Sequence, residues 1–385
     1  MSPKIAIVTP TFPPYRGGIG KVAEMDARQL AAAGYEVTVL TPTRGAVHES
    51  ASGVTVKEIK PVFRYGNAAL TPGISAALAP FPLVILHYPF FGTAEFLSLH
   101  KRRFPEAKIL LEYHMDVIGR GWLRSFFRWH SDSLLPKIVR STDRVVATSF
   151  DYLRSSNIAG FFREQPDAFR ELAPSVDPER FQPGAKPAAL MDRYGLKVTD
   201  KVILFVGGLD KAHYFKGVSV LLRAAASAGL ASSKLLIVGD GDLKPSYQDE
   251  AARLGISERV IFTGGVSDDE LPDHYRAADV FAFPSIDKSE AFGVAALEAL
   301  SSGLPVVAAD LPGVRTIVRR DETGYCVRPG SASALAVRLV DLLADDVSRQ
   351  RFGAAARRMV LDEYSDDQRR KRLLQIVQEL IHSAK

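Results

Sequence analysis

Short, unbroken apolar runs alternate along this chain with longer stretches whose apolar positions recur every three or four residues. The first run, KIAIVTP at 4–10, leads to GGIGKVAEMDARQLAAAG at 17–34, a helical pattern stopped by Gly34, and then to YEVTVLTP at 35–42. An apolar run of this length fits a strand buried on both faces. Two such runs joined by a helix make the strand–helix–strand unit of a parallel sheet. Further runs are PLVILHYP (82–89), KILLEYH (108–114) and DRVVATS (143–149). A second series starts at KVILFVGGL (201–209) and continues through KLLIVGDGD (234–242), RVIFTGGV (259–266), DVFAFPS (279–285) and LPVVAAD (304–310). Helical stretches such as GVSVLLRAAASAG and SYQDEAARLG fall between them.

Two consecutive series predict an α/β protein of two facing Rossmann-like, doubly wound parallel-sheet domains with an interdomain cleft, and 385 residues suit two domains. The join is expected in APSVDPERFQPGAKP (173–187), where prolines break both periodic patterns. The expected layout is an N-terminal Rossmann-like domain over 1–173, a linker over 174–186 and a C-terminal Rossmann-like domain over 187–365. A final amphipathic helix over 366–385, with Leu373, Leu374, Ile376, Val377, Leu380 and Ile381 on its apolar face, is expected to pack back on the N-terminal domain. Ligands of such sheets sit at the carboxyl ends of the strands, so the loops that follow each strand are where chemistry is to be sought.

Composition narrows the class. Hydrophobic residues at 46% and charged residues at 24% are those of an ordinary soluble globular protein. The one cysteine, Cys326, forbids an intramolecular disulfide, fits a reducing compartment and reads as a packing residue. No run approaches the roughly 20 apolar residues of a membrane span, and the start MSPKIAIVTPTFPP lacks the form of a signal peptide, so a cytoplasmic protein is expected. The net charge of +5 is uneven: residues 101–145 hold ten Lys and Arg against five Asp and Glu. Within them, GRGWLRSFFRWH (119–130) repeats Arg120, Arg124 and Arg128 at every fourth position, with Trp122, Phe126, Phe127 and Trp129 between. One reading is a helix that meets an anionic membrane surface or lipid phosphate, which would make the protein peripheral on the inner face of the membrane. The other is a helix with aromatics in the core and a solvated arginine face. No recognition motif for nucleic acid is present.

Four loops carry candidate chemistry. TPTFPPYRGGIGK (9–21) brings Gly17 and Gly18 to a helix start, where free N–H groups suit a phosphate, or else form a plain turn. The spacing is neither that of a dinucleotide fingerprint nor that of a Walker motif. VGGLDKAHYFKG contains Lys216, a point charge for a diphosphate or a surface lysine. VGDGD (238–242) sets Gly239 and Asp240 at a strand end where a nucleotide base could lie against backbone, and Asp240 with Asp242 is only superficially a metal pair. In SEAFGVAALEA (289–299), Glu290 precedes a helix expected to start near Phe292 or Gly293, and Glu298 lies inside it. Glu290 is placed for sugar hydroxyls, the N–H groups of Phe292, Gly293 and Val294 for a phosphate, and Glu298 for a ribose.

Taken together, SEAFGVAALEAL with Glu290 and Glu298, PPYRGGIG, FKG at 215–217, VGDGD, and FTGGVSDDEL followed by YRAADVFAFPS resemble the family 4 retaining glycosyltransferases, group 1, of GT-B fold. The resemblance implies that Glu290 contacts the donor sugar, Glu298 the donor ribose, and Lys216 with the Gly17–Gly18 loop the diphosphate. It implies that Val266 flanks the base, that His114 lies beside the donor sugar and that Asp116 faces the acceptor. The family commonly has an arginine where this chain has Gly208, and Lys211 or His213 is placed to supply that charge. The resemblance further implies hexose transfer from a UDP- or GDP-linked sugar to a glycan, glycolipid or polyprenyl-linked acceptor, with no cofactor and no metal. Two rivals are a nucleotide-sugar 2-epimerase on the same fold and a non-catalytic nucleotide-sugar-binding protein. A nicotinamide-dependent enzyme would need a glycine spacing that the first loop lacks.

Overall fold

The structure is a computed structural model that describes residues 3–15, 17–43, 53–119 and 121–382, with Trp122 described in its backbone alone. It divides into two compact units. The first comprises Met1–Pro174 and Arg369–Lys385, the second Ser175–Gln368.

The first unit holds β1 (Lys4–Val8), β2 (Glu36–Thr41), β3 (Val54–Glu58), β4 (Phe63–Tyr65), β5 (Ala68–Leu70), β6 (Leu83–Tyr88), β7 (Lys108–Tyr113), β8 (Arg144–Ala147) and β9 (Phe169–Glu171). Seven of these form one parallel sheet in the order β3-β2-β1-β6-β7-β8-β9, while β4 and β5 make a separate antiparallel hairpin. The apolar runs of β1, β6 and β7 explain why these strands are central: Ile5 pairs with Val37 on one side and Leu83 on the other, and all three side chains are buried. β3 and β9 escaped the sequence reading because they are short edge strands with polar alternation (VTVKE, FRE). The last helix, Asp366–His382, adds Leu373, Ile376, Val377 and Leu380 to the first unit's core beside Ile5, Ile7 and Leu30.

The second unit holds β10 (Val202–Val206), β11 (Lys234–Val238), β12 (Val260–Gly264), β13 (Val280–Phe283), β14 (Val306–Ala309) and β15 (Gly324–Val327). They form a parallel sheet in the order β12-β11-β10-β13-β14-β15. Ile203 on β10 pairs with Leu235 on β11 and with Val280 on β13, and a core of aliphatic side chains from strands and flanking helices covers it. β15 lies close against β14: a Cβ on Gly324 would stand 1.9 Å from the Val306 carbonyl oxygen. The expected α/β class with two doubly wound parallel sheets is what the chain adopts.

Candidate active site

In the second sheet, β10 and β13 are neighbours, yet the chain leaves β10 toward β11 and β12 on one side and leaves β13 toward β14 and β15 on the other. The loops after these two strands therefore diverge and open a crevice at their carboxyl ends. Both loops carry the predicted residues. After β10, the Asp210 carboxylate accepts hydrogen bonds from the amides of Ala212 and His213 at 2.8 and 3.1 Å and so starts a short helix, Lys211–Lys216. Gly217 ends it with φ of 73° in the left-handed region, and a Cβ there would lie 2.0 Å from the carbonyl oxygen of Pro284. Only glycine lets the two loops touch. The Ile286 amide then donates to the Phe215 carbonyl at 2.8 Å.

This contact brings Lys216 to Glu290. Lys216 Nζ donates to Glu290 Oε2 at 2.6 Å, and the Ser285 hydroxyl donates to the same oxygen at 3.0 Å. The ammonium also lies 5.3 Å from the ring centre of Phe283 and 5.4 Å from that of Phe215. Glu290 is buried and Lys216 nearly so, with a side chain 16% exposed, so the solvated-lysine reading does not describe it. A cation held between two aromatic faces and one carboxylate is a fixed point charge.

The helix after Glu290 runs from Val294 to Ser301. Its N-cap, Gly293, is left-handed with φ of 110°, and a Cβ there would stand 2.6 Å from the Phe283 ring. No side chain caps this end, and the first intrahelical bond is from the Leu297 amide to the Gly293 carbonyl. The amides aimed outward are thus those of Val294, Ala295 and Ala296. The set is shifted by two residues from the expected one and shares only Val294 with it, because Phe292, a buried ring, belongs to the approach. Glu298 is half-buried, and the hydroxyl of Tyr275 donates to its Oε2 at 2.7 Å. Tyr275 is fully buried; burial first, and the Glu298 carboxylate second, push its hydroxyl well above the usual range.

Gly208 lies under the His213 ring. A Cβ on it would be 2.8 Å from His213 Nδ1, which itself bonds Asp210 Oδ2 at 2.8 Å. Lys211 instead points to Asp242, at 3.5 Å, and is exposed. The glycines of VGDGD are used by the neighbouring loop. A Cβ on Gly239 would meet the Gly207 carbonyl at 1.9 Å, and one on Gly241 the Asp210 amide at 2.3 Å. Asp240 Oδ1 accepts from the Gly241 amide at 3.0 Å and faces Lys244, while Asp242 faces Lys211. Val266 is half-buried in the loop after β12.

In the first unit, Gly17 caps the Gly18–Ala32 helix without any side-chain bond, and a Cβ on Gly18 would meet nothing within 4 Å. His114 follows β7 and is 9% exposed. Its Nε2 lies 2.9 Å from Nδ1 of His87, a fully buried residue of β6. Glu112 and Asp26, both buried, flank His87, and Arg369 of the last helix donates to Glu112 Oε1 at 2.7 Å and to Asp26 Oδ2 at 3.3 Å. Burial lowers the pKa of both histidines, that of His87 to about 4, so both rings are neutral. His87, Glu112 and His114 are the one group of nitrogen and carboxylate ligands among the described residues close enough to share an ion, their atoms lying within 4.8 Å of one another. As arranged, they bond to each other and to Arg369. Asp116 is buried; it accepts from the Tyr113 hydroxyl and from the Asn157 amide at 3.0 Å. His87, Asp26, Glu112 and Arg369 were not foreseen. For His87 and Glu112 the signal was a polar residue inside an otherwise apolar run, in PLVILHYP and KILLEYH.

The sequence signature described as glycosyl transferases group 1 matches residues 188–359, and that of the glycosyl transferase 4-like domain matches residues 17–156. A GDP-mannose-dependent alpha-(1-6)-phosphatidylinositol monomannoside mannosyltransferase of Mycobacterium tuberculosis is 30% identical over 94% of this chain and 95% of its own. The chain belongs to the group 1, family 4 glycosyltransferases. A D-inositol 3-phosphate glycosyltransferase of Nocardia farcinica is 31% identical over 88% of this chain and 80% of its own. Among solved structures, sucrose-phosphate synthase of Thermosynechococcus elongatus superposes with a TM-score of 0.79 at 21% identity, covering 99% of this chain and 100% of that one. The fold of this glycosyltransferase is GT-B.

The glycosyltransferase's basic aromatic stretch forms a helix, Trp122–Ser133. Arg120 and the Trp122 side chain lie outside the described residues. Arg124, Arg128, Phe126 and Trp129 are exposed, the last two at 42% and 53%, while Phe127 packs on Phe91 with ring centres 5.2 Å apart. Packing of all its aromatics into the core therefore does not describe this helix. No helix among the described residues is long and apolar enough to cross a membrane. Burial pushes the Cys326 thiol up to about 11, which suits a packing role.

Proposed function

We propose that this glycosyltransferase moves a hexose, with retention of anomeric configuration and without a metal, from a GDP-linked donor to an inositol- or glycan-containing acceptor. The Lys216–Glu290–Ser285 cluster at the switch point of the second sheet carries this reading. Lys216 and the uncapped amides at Val294–Ala296 take the diphosphate, Glu290 the sugar hydroxyls and Glu298 the ribose. His213, seated over Gly208, supplies charge beside the diphosphate where the family commonly has an arginine. Gly239, Asp240 and Val266 line the base. In the first unit, the Gly17–Gly18 helix start takes a phosphate, His114 hydrogen-bonds a sugar hydroxyl, and Asp116 lies on the acceptor side. GDP is favoured over UDP because the mannosyltransferase relative is named for GDP-mannose.

In the reaction, the bond from the anomeric carbon to the diphosphate oxygen breaks as the acceptor oxygen bonds that carbon. The acceptor's proton passes to the leaving phosphate. The protein's part is to align the two substrates and to stabilise the negative charge growing on the diphosphate.

The acceptor is taken from a membrane surface. Arg124 and Arg128 with exposed Phe126 and Trp129 offer charge and aromatic rings together. The β4–β5 hairpin adds exposed Phe63 and Tyr65, and it is tied to the same region by the Ala69 amide, which donates to the Phe91 carbonyl at 3.0 Å.

The test is transfer of radiolabelled sugar from GDP-mannose, or from UDP-sugars, to D-inositol 3-phosphate and to phosphatidylinositol mannosides, with and without EDTA. The anomer of the product is read by NMR. Failure of every donor, an inverted product, or loss of activity in EDTA each removes part of the reading. Epimer formed from a UDP-sugar alone would favour the rival enzyme.

A further inference from the structure

Four buried side chains stand behind His114 and reach it through His87 alone. Arg369 sits between the carboxylates of Asp26 and Glu112, and both carboxylates face His87: Glu112 Oε2 is 3.5 Å from its Nδ1 and Asp26 Oδ2 is 3.7 Å from its Nε2. His87 Nδ1 in turn meets His114 Nε2 at 2.9 Å, with the two ring planes 12° from parallel and the ring centres 5.1 Å apart. His87 Nε2 and Glu112 Oε2 have no hydrogen-bond partner among the described residues. In a neutral pair of imidazoles, one must donate and the other accept. Of the two carboxylates, Glu112 is bound to the guanidinium at 2.7 Å through a well-formed hydrogen bond, and it is the closer to His87. An anion beside Nδ1 favours the proton there. Asp26 is wholly buried, and desolvation drives its carboxyl well above the ordinary range, so it offers no comparable anion at Nε2.

We infer that Arg369, Glu112, Asp26 and His87 are positioning residues that hold the His114 ring and fix its tautomer. His87 Nδ1–H donates to His114 Nε2, so His114 presents Nδ1–H outward as a hydrogen-bond donor. The site then offers a sugar oxygen a fixed donor rather than an acceptor, and it does so without any charge on the ring. This inference rests on the proposed role of His114 as a sugar-binding group.

The experiment is long-range nitrogen–proton NMR on protein labelled in its eight histidines, with His114 assigned by a His114→Gln variant. The expected result is a neutral His114 with its proton on Nδ1 in the wild-type protein. In His87→Leu, which cannot donate, that preference should be lost and kcat should fall about tenfold or more with KM for the donor less affected. His87→Gln, whose amide can still donate, should recover most of both. A wild-type His114 protonated on Nε2, a tautomer unmoved in His87→Leu, or stoichiometric zinc that leaves with His87→Leu would each overturn the inference. The wild-type spectrum needs no variant to fold. If the spectrum is as expected but no sugar is transferred, the proposed function fails and the tautomer assignment stands.

Discussion

Lys216 and Glu290 are separated by 74 positions in the chain, yet their charged atoms stand 2.6 Å apart. The pair is made by Gly217, whose missing side chain lets the loop after β10 rest on Pro284. Charges of opposite sign, partly withdrawn from water and backed by aromatic rings, are held by their surroundings more than they hold them. Lys216→Met is expected to lower kcat by about a hundredfold or more, the usual worth of a group aimed at charge that grows in the transition state. Glu290→Gln should cost less, since the amide still accepts from Lys216. Steady-state rates with thermal melts separate chemistry from folding; equal rates in both variants and the wild type would remove the pair from the mechanism.

Glu298 is held through Tyr275, which buries its ring and hands over one hydroxyl. Glu298→Ala is expected to weaken nucleotide binding about tenfold, the scale of one hydrogen bond to a charged group, with little change in melting temperature. Calorimetric titration with GDP checks this. Tyr275→Phe should show a smaller loss of the same kind.

Gly208 and His213 compete for one space. Gly208→Ala should destabilise the second unit by about 1–3 kcal/mol, as overpacking does, and adding His213→Ala should recover most of it. His213→Ala alone should leave stability nearly unchanged while weakening GDP binding. A double variant no more stable than Gly208→Ala would show that the ring does not occupy that space.

The histidine pair predicts how stability changes with pH. His87 titrates near 6.5 when unfolded and, chiefly through burial, at about 4 when folded, so the unfolded chain binds its proton first as the pH falls. Its contribution is whole above about pH 6.5 and is lost between there and about 4, at up to ~1.4 kcal/mol per pH unit. His114, lowered in the same direction, adds to this; Asp26, raised by burial, opposes it. Denaturant melts over this range should therefore flatten in His87→Gln and steepen in Asp26→Asn. Parallel curves for the wild type and His87→Gln would contradict the assignment.

For the membrane face, replacing Arg124 and Arg128 by Gln should weaken binding to anionic vesicles by roughly fivefold per residue, about 1 kcal/mol each. Trp129→Ala should weaken it at high salt as well, where the arginine contribution is screened. Co-sedimentation with vesicles measures both; unchanged binding in all three variants would leave the helix as an ordinary exposed surface.

Much of the fold was legible because strands buried on both faces must be largely apolar, and the runs at β1, β10 and β13 are. The edge strands β3, β9 and β15 were not, since a short strand with one neighbour need not be apolar on both faces. In the second unit, the loops that carry Lys216 and Glu290 were legible for the same reason: they directly follow unmistakable strands. The close packing of two loops there was not legible: a Cβ on Gly239 would meet the Gly207 carbonyl, and one on Gly241 the Asp210 amide.

By itself, then, the order of residues determined which segments become the central strands, that there are two parallel sheets, and which loops hold the candidate chemistry. These follow from local periodicity and from the solvent, and both are written in sequence. Only the tertiary structure decided which charges meet: Lys216 with Glu290, His213 over Gly208, and Arg369 reaching Asp26 and Glu112 across more than two hundred residues. Such pairings depend on strand order and loop contact, and no periodicity of the chain encodes which distant loop a given strand end will face.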